Sequence, residues 1–274
     1  MSTGSLKIDN ILDGIWGFPK GQLTEVFGPS GSGKSSIVLS CIRDNTNSFP
    51  VLVDSEYKFD ARYAAYMGLD LPRVIILQSN ILDNIEQLVE LTISAGSGIV
   101  IIDTISAVQH EPKKFNKIMV AISELLSRDV AIILVSQVRK NWNQGKDKTE
   151  SYYSNVAGYY PALRICLDYG DSLSYGNSWD NNLVTGRIMN VEVVKNRFGS
   201  KSMKTSTELH YGIGINKPLE VLDEAFSRGL ITRSGSWYFY RNNNLGEGRL
   251  KASIQLSKLP VYASILDAVQ RRNQ

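Results

Sequence analysis

The chain has 274 residues, 43% hydrophobic and 21% charged, a composition that excludes a largely disordered protein. Lysine and arginine exceed aspartate and glutamate by 30 − 27 = 3, which permits a nucleic-acid partner without requiring one. Two cysteines, Cys41 and Cys166, exclude a disulfide framework, and the lack of a long apolar run or a signal-peptide layout predicts a cytoplasmic protein without a membrane span.

Short β-branched, apolar runs alternate with stretches of helical periodicity along most of the chain. Several runs are apolar throughout, as in strands of a parallel sheet that is covered on both faces. Helical spacing follows at 36–43, 83–95 and 114–128, so the pattern predicts a doubly wound α/β domain. The predicted strands are Leu23–Phe27, Val51–Asp54, Val74–Leu77, Ile99–Asp103, Ala131–Ser136, Leu163–Leu167 and Ile188–Val194.

Two polar segments interrupt this alternation, and the sequence pattern changes from about residue 217. Residues 139–160 are rich in Asn, Gln, Lys and Tyr, and a connection of that length is usually functional or disordered. Residues 168–185, rich in Asp, Ser, Gly and Asn, predict a turn-rich excursion between two strands. We expect a core over residues 1–216 and a small C-terminal α+β domain over 217–274, with helices at 218–228 and 261–271 and a strand at 236–240.

The sharpest motif is a glycine-rich loop between a predicted strand and a predicted helix. It fits G-x-x-x-x-G-K-[ST], the pattern of a loop whose backbone N–H groups surround phosphates, and the alternative is a surface turn. Lys34 is expected to contact the β- and γ-phosphates of ATP, and the Ser35 hydroxyl to ligate Mg²⁺. The nucleotide-binding candidates are Gly28, Pro29, Ser30, Gly31, Ser32, Gly33, Lys34, Ser35 and Ser36.

Two carboxylates follow predicted strands. Asp103 ends the run 99–103 and is expected to organise the metal and its waters. Glu56 lies just beyond the strand that ends at Asp54, where a carboxylate can orient and deprotonate an attacking water. Each has an alternative, since strands often end at aspartate and Glu56 could be a solvated loop residue.

The order of these motifs resembles the RecA-type recombinases, including their phage UvsX branch, over nearly the whole chain. The resemblance implies a RecA-like P-loop ATPase core with a mostly parallel central sheet, and Glu56 as its catalytic carboxylate. The segments that carry it are 2–6, 17–21, 54–56, 63–70, 135–139, 193–197, 209–216, 235–238 and 246–248. The compact, diverged form of these segments suggests a phage or another mobile element as the source.

The same resemblance assigns further roles around the nucleotide. It implies that Asp60 and Tyr63 lie beside the adenine and that Gln137 senses the γ-phosphate and couples it to the segment that follows. It also places Tyr211 and Gly212 in an interface segment near the nucleotide. Finally, it implies that Lys195 and Arg197 reach across a subunit interface to the γ-phosphate of a neighbour.

The segment 139–160 combines cations with aromatic rings. Cations neutralise backbone phosphates and aromatic faces stack on bases, whereas the alternative is a solvated loop with rings anchored to the core. The family position favours DNA binding, with Tyr159 at a subunit interface. The DNA-binding candidates are Arg139, Lys140, Trp142, Lys146, Lys148, Tyr152 and Tyr153. A second, shortened DNA loop is predicted at 109–116, with His110, Lys113 and Lys114 as weaker candidates.

Some features depart from the family pattern. The chain starts where the ATPase core starts, so the N-terminal docking helix and strand are expected to be absent, as is the acidic C-terminal tail. The loop 139–159 carries Tyr153 and Ser154 in place of the family's paired glycines. Filament formation is then expected to depend on the remaining interface and on DNA.

The predicted function is an ATP-dependent, DNA-activated recombinase that binds single-stranded and duplex DNA. It would act as a homo-oligomer or helical filament with nucleotide at the subunit interface. One alternative is a RecA-core annealing protein without strand invasion, which the shortened loop favours. A second alternative is a regulatory or motor ATPase of the same superfamily.

Overall fold

The computed structural model describes residues 1–78, 85–105, 112–137, 160–174 and 184–270. Its helices are α1 (Leu6–Ile11), α2 (Lys34–Asp44), α3 (Ala61–Tyr66), α4 (Ile85–Ser94), α5 (Pro112–Ser127), α6 (Lys217–Ser227), α7 (Arg249–Lys258) and α8 (Tyr262–Gln270). Its strands are β1 (Leu23–Gly28), β2 (Val51–Asp54), β3 (Ile75–Leu77), β4 (Ile99–Asp103), β5 (Ala131–Gln137), β6 (Leu163–Ser174), β7 (Val184–Asn196), β8 (Lys204–His210), β9 (Gly214–Ile215), β10 (Thr232–Ser234), β11 (Trp237–Tyr240) and β12 (Asn243–Glu247).

A large mixed sheet organises these elements, in the order β3-β2-β4-β5-β1-β6-β7-β8-β9. The strands from β3 to β6 run parallel to their neighbours, while β7, β8 and β9 extend the sheet in antiparallel fashion. The mostly parallel sheet and all seven predicted strands are confirmed. The strands β8 and β9 and the short helices α1 and α3 were not predicted.

Alternate residues of the central strands enter two separate cores, one on each face of the sheet. On β5, Ile133 packs into the core that contains α2, and Ile132 into the core beneath α4 and α5. On β4, Ile101 and Ile102 divide in the same way. A strand buried on both faces gains from apolar residues at every position, which explains the unbroken apolar runs in the sequence.

The carboxyl ends of the parallel strands bring polar residues to one edge of the sheet. Asp54, the last residue of β2, lies opposite Asp103 at the end of β4. Gly28, the last residue of β1, lies opposite Gln137 at the end of β5. In open α/β sheets ligands bind at this edge, so the topology concentrates the candidate residues where a ligand can reach them.

Two predictions about loops were wrong where the structure describes them. Residues 168–174 continue β6 as a strand, because antiparallel pairing with β7 satisfies their backbone despite their polar side chains. Register shifts between Tyr169 and Ser172 and between Leu173 and Ser174 accommodate the irregular pairing. Residues 112–116 of the shortened loop form the first turns of α5, which begins at Pro112, a residue favoured at a helix start.

A third core joins the two ends of the chain. Leu6 of α1 packs with residues of α6, α7 and α8 and of the small sheet β10-β11-β12. Glu220 of α6 is buried and accepts hydrogen bonds from Ser5 Oγ at 2.8 Å and Leu6 N at 2.7 Å. The segment after residue 217 therefore packs directly on the start of the chain, and its division into a separate domain stays a prediction.

No helix in the ranges described above combines the length and the apolar character that crossing a bilayer requires.

Candidate functional site

The loop between β1 and α2 is built around the ammonium group of Lys34. Lys34 Nζ donates hydrogen bonds to the carbonyl oxygens of Gly28 at 2.9 Å and Pro29 at 2.7 Å. Burial lowers the pKa of Lys34, although the carboxylates of Asp103 and Glu56 oppose the shift. The ammonium thus lies at the centre of the loop, where phosphate oxygens can take the place of the two carbonyls.

Two glycines of the loop leave no room for a side chain. Gly33 has φ +93°, and a Cβ there would lie 2.7 Å from Met189 Sδ on β7. A Cβ on Gly28 would lie 2.1 Å from the carbonyl oxygen of Leu167 on β6. The loop therefore packs directly on β6 and β7. Helix α2 begins at Lys34, immediately after Gly33, so the first N–H groups of the helix are available to an anion.

Ser35 and Asp103 form the pair that fits a divalent cation. Ser35 Oγ donates to Asp103 Oδ2 at 3.1 Å. Burial raises the pKa of Asp103, a shift that the Ser35 hydrogen bond opposes and repulsion from Glu56 and Asp54 supports. A hydroxyl and a carboxylate beside a phosphate loop are oxygen ligands of the kind that Mg²⁺ takes, so these residues fit the predicted metal.

Glu56 lies beside this pair with both of its carboxylate oxygens engaged. Gln137 Nε2 donates to Oε1 at 3.3 Å, and Lys58 Nζ donates to Oε2 at 2.6 Å. The predicted base and the predicted γ-phosphate sensor are thus in direct contact, at one cleft with the loop. The cleft is lined by Ser30, Gly31, Lys34, Ser35, Asp54, Glu56, Lys58, Asp103 and Gln137.

The turn that carries Glu56 is held by Asp54. Asp54 Oδ2 accepts from the backbone N–H of Phe59 at 2.7 Å and from Gln78 Nε2 at 2.9 Å. Burial would raise the pKa of the Asp54 carboxyl, but the hydrogen bonds from Gln78 and Phe59 outweigh it and hold the pKa below its ordinary value. Ser55 also donates to the carbonyl of Thr104 at 2.6 Å, which fixes the turn to the end of β4.

The site also contains three residues that were not predicted from the sequence: Asp54, Lys58 and Gln78. The position of Asp54 at a strand end was visible, but its task depends on hydrogen bonds from residues 5 and 24 positions along the chain. Lys58 follows Glu56 by two residues, a spacing that carries no recognisable motif. The sequence offered one signal for Asp54, which ends a predicted strand as Asp103 does.

The candidate adenine residues line an apolar extension of the cleft. Leu39, Leu52 and Phe59 form its walls together with Asp60 and Tyr63. Asp60 Oδ1 accepts from the backbone N–H groups of residues 62 and 63, so Asp60 also caps the start of α3.

Tyr211 and Gly212 lie on the loop between β8 and β9, beside α3. A Cβ on Gly212 would lie 3.3 Å from the ring of Tyr66, the last residue of α3. Tyr66 was not predicted as a site residue. Tyr63, Tyr66 and Tyr211 are all exposed, which leaves their rings accessible to a ligand or to another protomer.

Lys195 and Arg197 lie at the other end of the sheet. In the antiparallel register of β6 and β7, Lys195 lies opposite Arg164, near the start of β6. The backbone N–H of Arg197 donates to the carbonyl of Ala162. That end of β6 lies beside Thr24 near the start of β1, four residues or about 13 Å of strand from Gly28. Burial lowers the pKa of Lys195, and the nearby cations Arg197 and Arg164 add to the shift.

The candidate DNA-binding residues Arg139, Lys140, Trp142, Lys146, Lys148, Tyr152 and Tyr153 lie outside the described residues, as do Tyr159 and His110. Lys113 is exposed on α5. The role of the segment 139–160 therefore stays a prediction.

Comparisons with known proteins cover the whole chain. A sequence profile of the RecA N-terminal domain matches residues 1–216, and a profile of the RecA C-terminal domain matches residues 219–271. Protein RecA of Mycoplasmopsis pulmonis is 29% identical over 100% of this chain and 85% of the relative. Protein RecA of Mycoplasma mobile is 28% identical over 98% of this chain and 86% of the relative.

Among solved structures, the crystal structure of the RadB recombinase is similar with a TM-score of 0.59 and 20% sequence identity. The similarity covers 78% of this chain and 97% of that one. At this identity the likeness concerns the fold, and it agrees with the RecA-like α/β core expected from the sequence.

Asp54 provides a test of the turn that carries Glu56. Because its folded-state pKa is lowered, the Asp54 carboxylate stabilises the fold above its unfolded pKa, and this contribution is lost as the pH falls through the folded pKa. Asp54→Asn should lower the free energy of unfolding at pH 7 by about 1–2 kcal/mol and by much less near pH 3. Urea unfolding at the two pH values measures the difference.

The matched control is Asp129→Asn, which changes an exposed carboxylate that forms a surface ion pair with Lys20 at 3.6 Å. It should change the unfolding free energy by less than about 0.5 kcal/mol at either pH. Equal destabilisation by Asp54→Asn at both pH values would show that the Asp54 charge does not hold the turn.

Proposed function

The chain belongs to the RecA family, and on this basis we propose that it is an ATP-dependent, DNA-activated recombinase. It binds single-stranded DNA, hydrolyses ATP and promotes homologous pairing. The observation that carries the proposal is the 3.3 Å hydrogen bond from Gln137 to Glu56. It joins a candidate catalytic carboxylate to the last residue of β5, directly before the segment that carries the candidate DNA-binding side chains.

The phosphate loop binds the triphosphate through its backbone N–H groups and the Lys34 ammonium. Ser35 and Asp103 would hold Mg²⁺, which would supply positive charge to neutralise the phosphate oxygens. Glu56 orients a water for in-line attack and accepts its proton as the water oxygen bonds to the γ-phosphorus and the bond to the bridging oxygen breaks. Asp54 keeps Glu56 in place through the turn. Asp60 and Tyr63 contact the adenine base of the nucleotide.

Gln137 transmits the state of the cleft to DNA. Its amide contacts Glu56 on one side, and its backbone leads into residues 138–160 on the other. A γ-phosphate that competes for the Gln137 amide moves the end of β5 and with it the start of the DNA segment. Nucleotide state and DNA affinity are coupled by this displacement.

Lys195 and Arg197 act on the nucleotide of a neighbouring protomer. They lie at the opposite end of β1 from the phosphate loop, so within one chain they are far from the triphosphate. A head-to-tail contact brings this end of one protomer against the loop of the next. Such a contact is heterologous and generates rings or helical filaments, in agreement with a filament that carries nucleotide at each interface.

Three finer attributes stay predictions: membership of the phage branch, a cytoplasmic location and duplex DNA as a partner.

Glu56→Gln tests the chemical step. The amide cannot accept a proton from water, so turnover should fall by about 10²–10⁴-fold, while the affinity for ATP should stay within about twofold of wild type. Phosphate release with and without single-stranded DNA measures the first quantity, and equilibrium binding of a fluorescent ATP analogue measures the second. Retained turnover would remove Glu56 from this role.

The recombinase activity itself is tested by pairing a protein-coated single strand with a supercoiled duplex in the presence of ATP. We expect joint molecules with a homologous duplex and none with a heterologous one. Annealing of complementary single strands without duplex invasion would instead support the annealing protein.

Mixed protomers test the action of Lys195 and Arg197 across an interface. Glu56→Gln protomers and Lys195→Ala/Arg197→Ala protomers should each be inactive in DNA-stimulated hydrolysis. In an equal mixture about a quarter of random head-to-tail contacts pair an intact Glu56 with intact cations, so activity should partly return. Lys201→Ala serves as an exposed control on the connection after β7 and should behave as wild type. No recovery in a mixture that still assembles would contradict the arrangement.

A further inference from the structure

Lys58 is a cation of the cleft that the phosphate-loop pattern does not include. Its ammonium donates to Glu56 Oε2 at 2.6 Å, opposite the Gln137 amide on Oε1. We propose that Lys58 is a positioning residue that restrains Glu56 and thereby lowers the rate of ATP hydrolysis without DNA. The inference rests on the ATPase function proposed above and adds a regulatory residue to it.

The backbone of the turn is shaped to bring Lys58 back to Glu56. Tyr57, between them, has φ +56°, a left-handed conformation that is unfavourable for a tyrosine. Tyr57 is 59% exposed, so the burial of its ring does not explain this conformation. Asp54 stabilises the turn by accepting from the N–H of Phe59, directly after Lys58. An uncommon conformation beside a candidate catalytic residue points to a functional constraint.

The charges around Lys58 leave Glu56 as its direct partner. The charged groups that act on the ammonium are Glu56, Asp54, Asp103 and the Lys34 ammonium. Asp54 Oδ2 is engaged by Phe59 and Gln78, and Asp103 Oδ2 by Ser35. The hydrogen bond and the charge of Glu56 raise the pKa of Lys58, so the ammonium is charged at neutral pH.

The pair is exposed enough to open. The Lys58 side chain is 70% exposed, and that of Glu56 is 27% exposed. Ion pairs of such exposure are weak, so Lys58 can leave Glu56 without a large rearrangement. This makes the contact a restraint on the carboxylate and not a permanent structural bridge.

The contact with Lys58 affects how Glu56 can act as a general base. A carboxylate acts as a general base through a lone pair directed at the water, and one hydrogen bond to each oxygen of Glu56 restrains the direction in which its lone pairs point. Removing Lys58 frees Oε2, so the Glu56 carboxylate can turn toward a water and accept its proton more often.

The test compares Lys58→Met with Lys58→Arg and with a matched control. Lys117 forms an ion pair of similar length with Glu86, at 2.8 Å, between α5 and α4 and outside the cleft, so Lys117→Met removes an equivalent surface pair. Lys58→Met should raise kcat for ATP hydrolysis without DNA about threefold to fivefold, the factor that a partly exposed pair allows. Lys58→Arg and Lys117→Met should keep the wild-type rate.

A second measurement separates restraint from ligand binding. The dissociation constant of a slowly hydrolysed ATP analogue should stay within about twofold of wild type in Lys58→Met, because the restraint acts on Glu56. An unchanged or lower DNA-free kcat in Lys58→Met overturns the proposal. So does a lower kcat with weaker binding, which would make Lys58 a nucleotide ligand. Lys58→Gln provides a second neutral side chain if Lys58→Met is poorly folded by circular dichroism.

Failure of this inference is distinct from failure of the proposed function. An active wild-type protein with an equally active Lys58→Met variant refutes the restraint alone. Wild-type and variant proteins that both fail to hydrolyse ATP, with and without single-stranded DNA, refute the ATPase function and the restraint with it.

Discussion

The hydrogen bond between the Gln137 amide and the Glu56 carboxylate is the interaction on which the functional account depends. It spans 81 positions of sequence and joins the end of β5 to the turn after β2. Parallel strands make this possible, since their carboxyl ends meet at one edge, with Asp54, Asp103 and Gly28 beside them. The contact puts a proton acceptor, a phosphate loop and the entrance to the polar segment within one cleft.

The charges of this cleft are balanced by local contacts. Lys34 bonds its own loop, Asp103 accepts from Ser35, and Glu56 accepts from Lys58 and Gln137. A triphosphate with its metal must therefore replace existing hydrogen bonds, so binding repositions several of these side chains together. In the proposed function, this exchange of partners is the physical basis for coupling nucleotide binding to DNA affinity.

The fold was largely predictable from the sequence because its central strands are buried on both faces. Unbroken apolar runs such as Ile99–Asp103 are typical of that setting, and the glycine-rich loop is contiguous in sequence. The strand residues 168–174 were not predicted because their polar side chains show no apolar pattern, although their backbone pairs with β7. The roles of Asp54 and Lys58 were not predicted because their contacts depend on the turn around Tyr57. A turn of this kind has no hydrophobic periodicity from which it could be predicted. The roles of Lys195 and Arg197 came from family resemblance, and their place far from the chain's own loop was not predictable from spacing.

The most direct test of the central claim is the affinity for a fluorescent single-stranded oligonucleotide, measured by anisotropy with a slowly hydrolysed ATP analogue, with ADP and without nucleotide. The account predicts that the analogue tightens binding by about tenfold or more in the wild-type protein, a coupling of ordinary size. Gln137→Ala should lose this dependence while it still binds the analogue. Equal affinity under all three conditions in the wild-type protein would contradict the account.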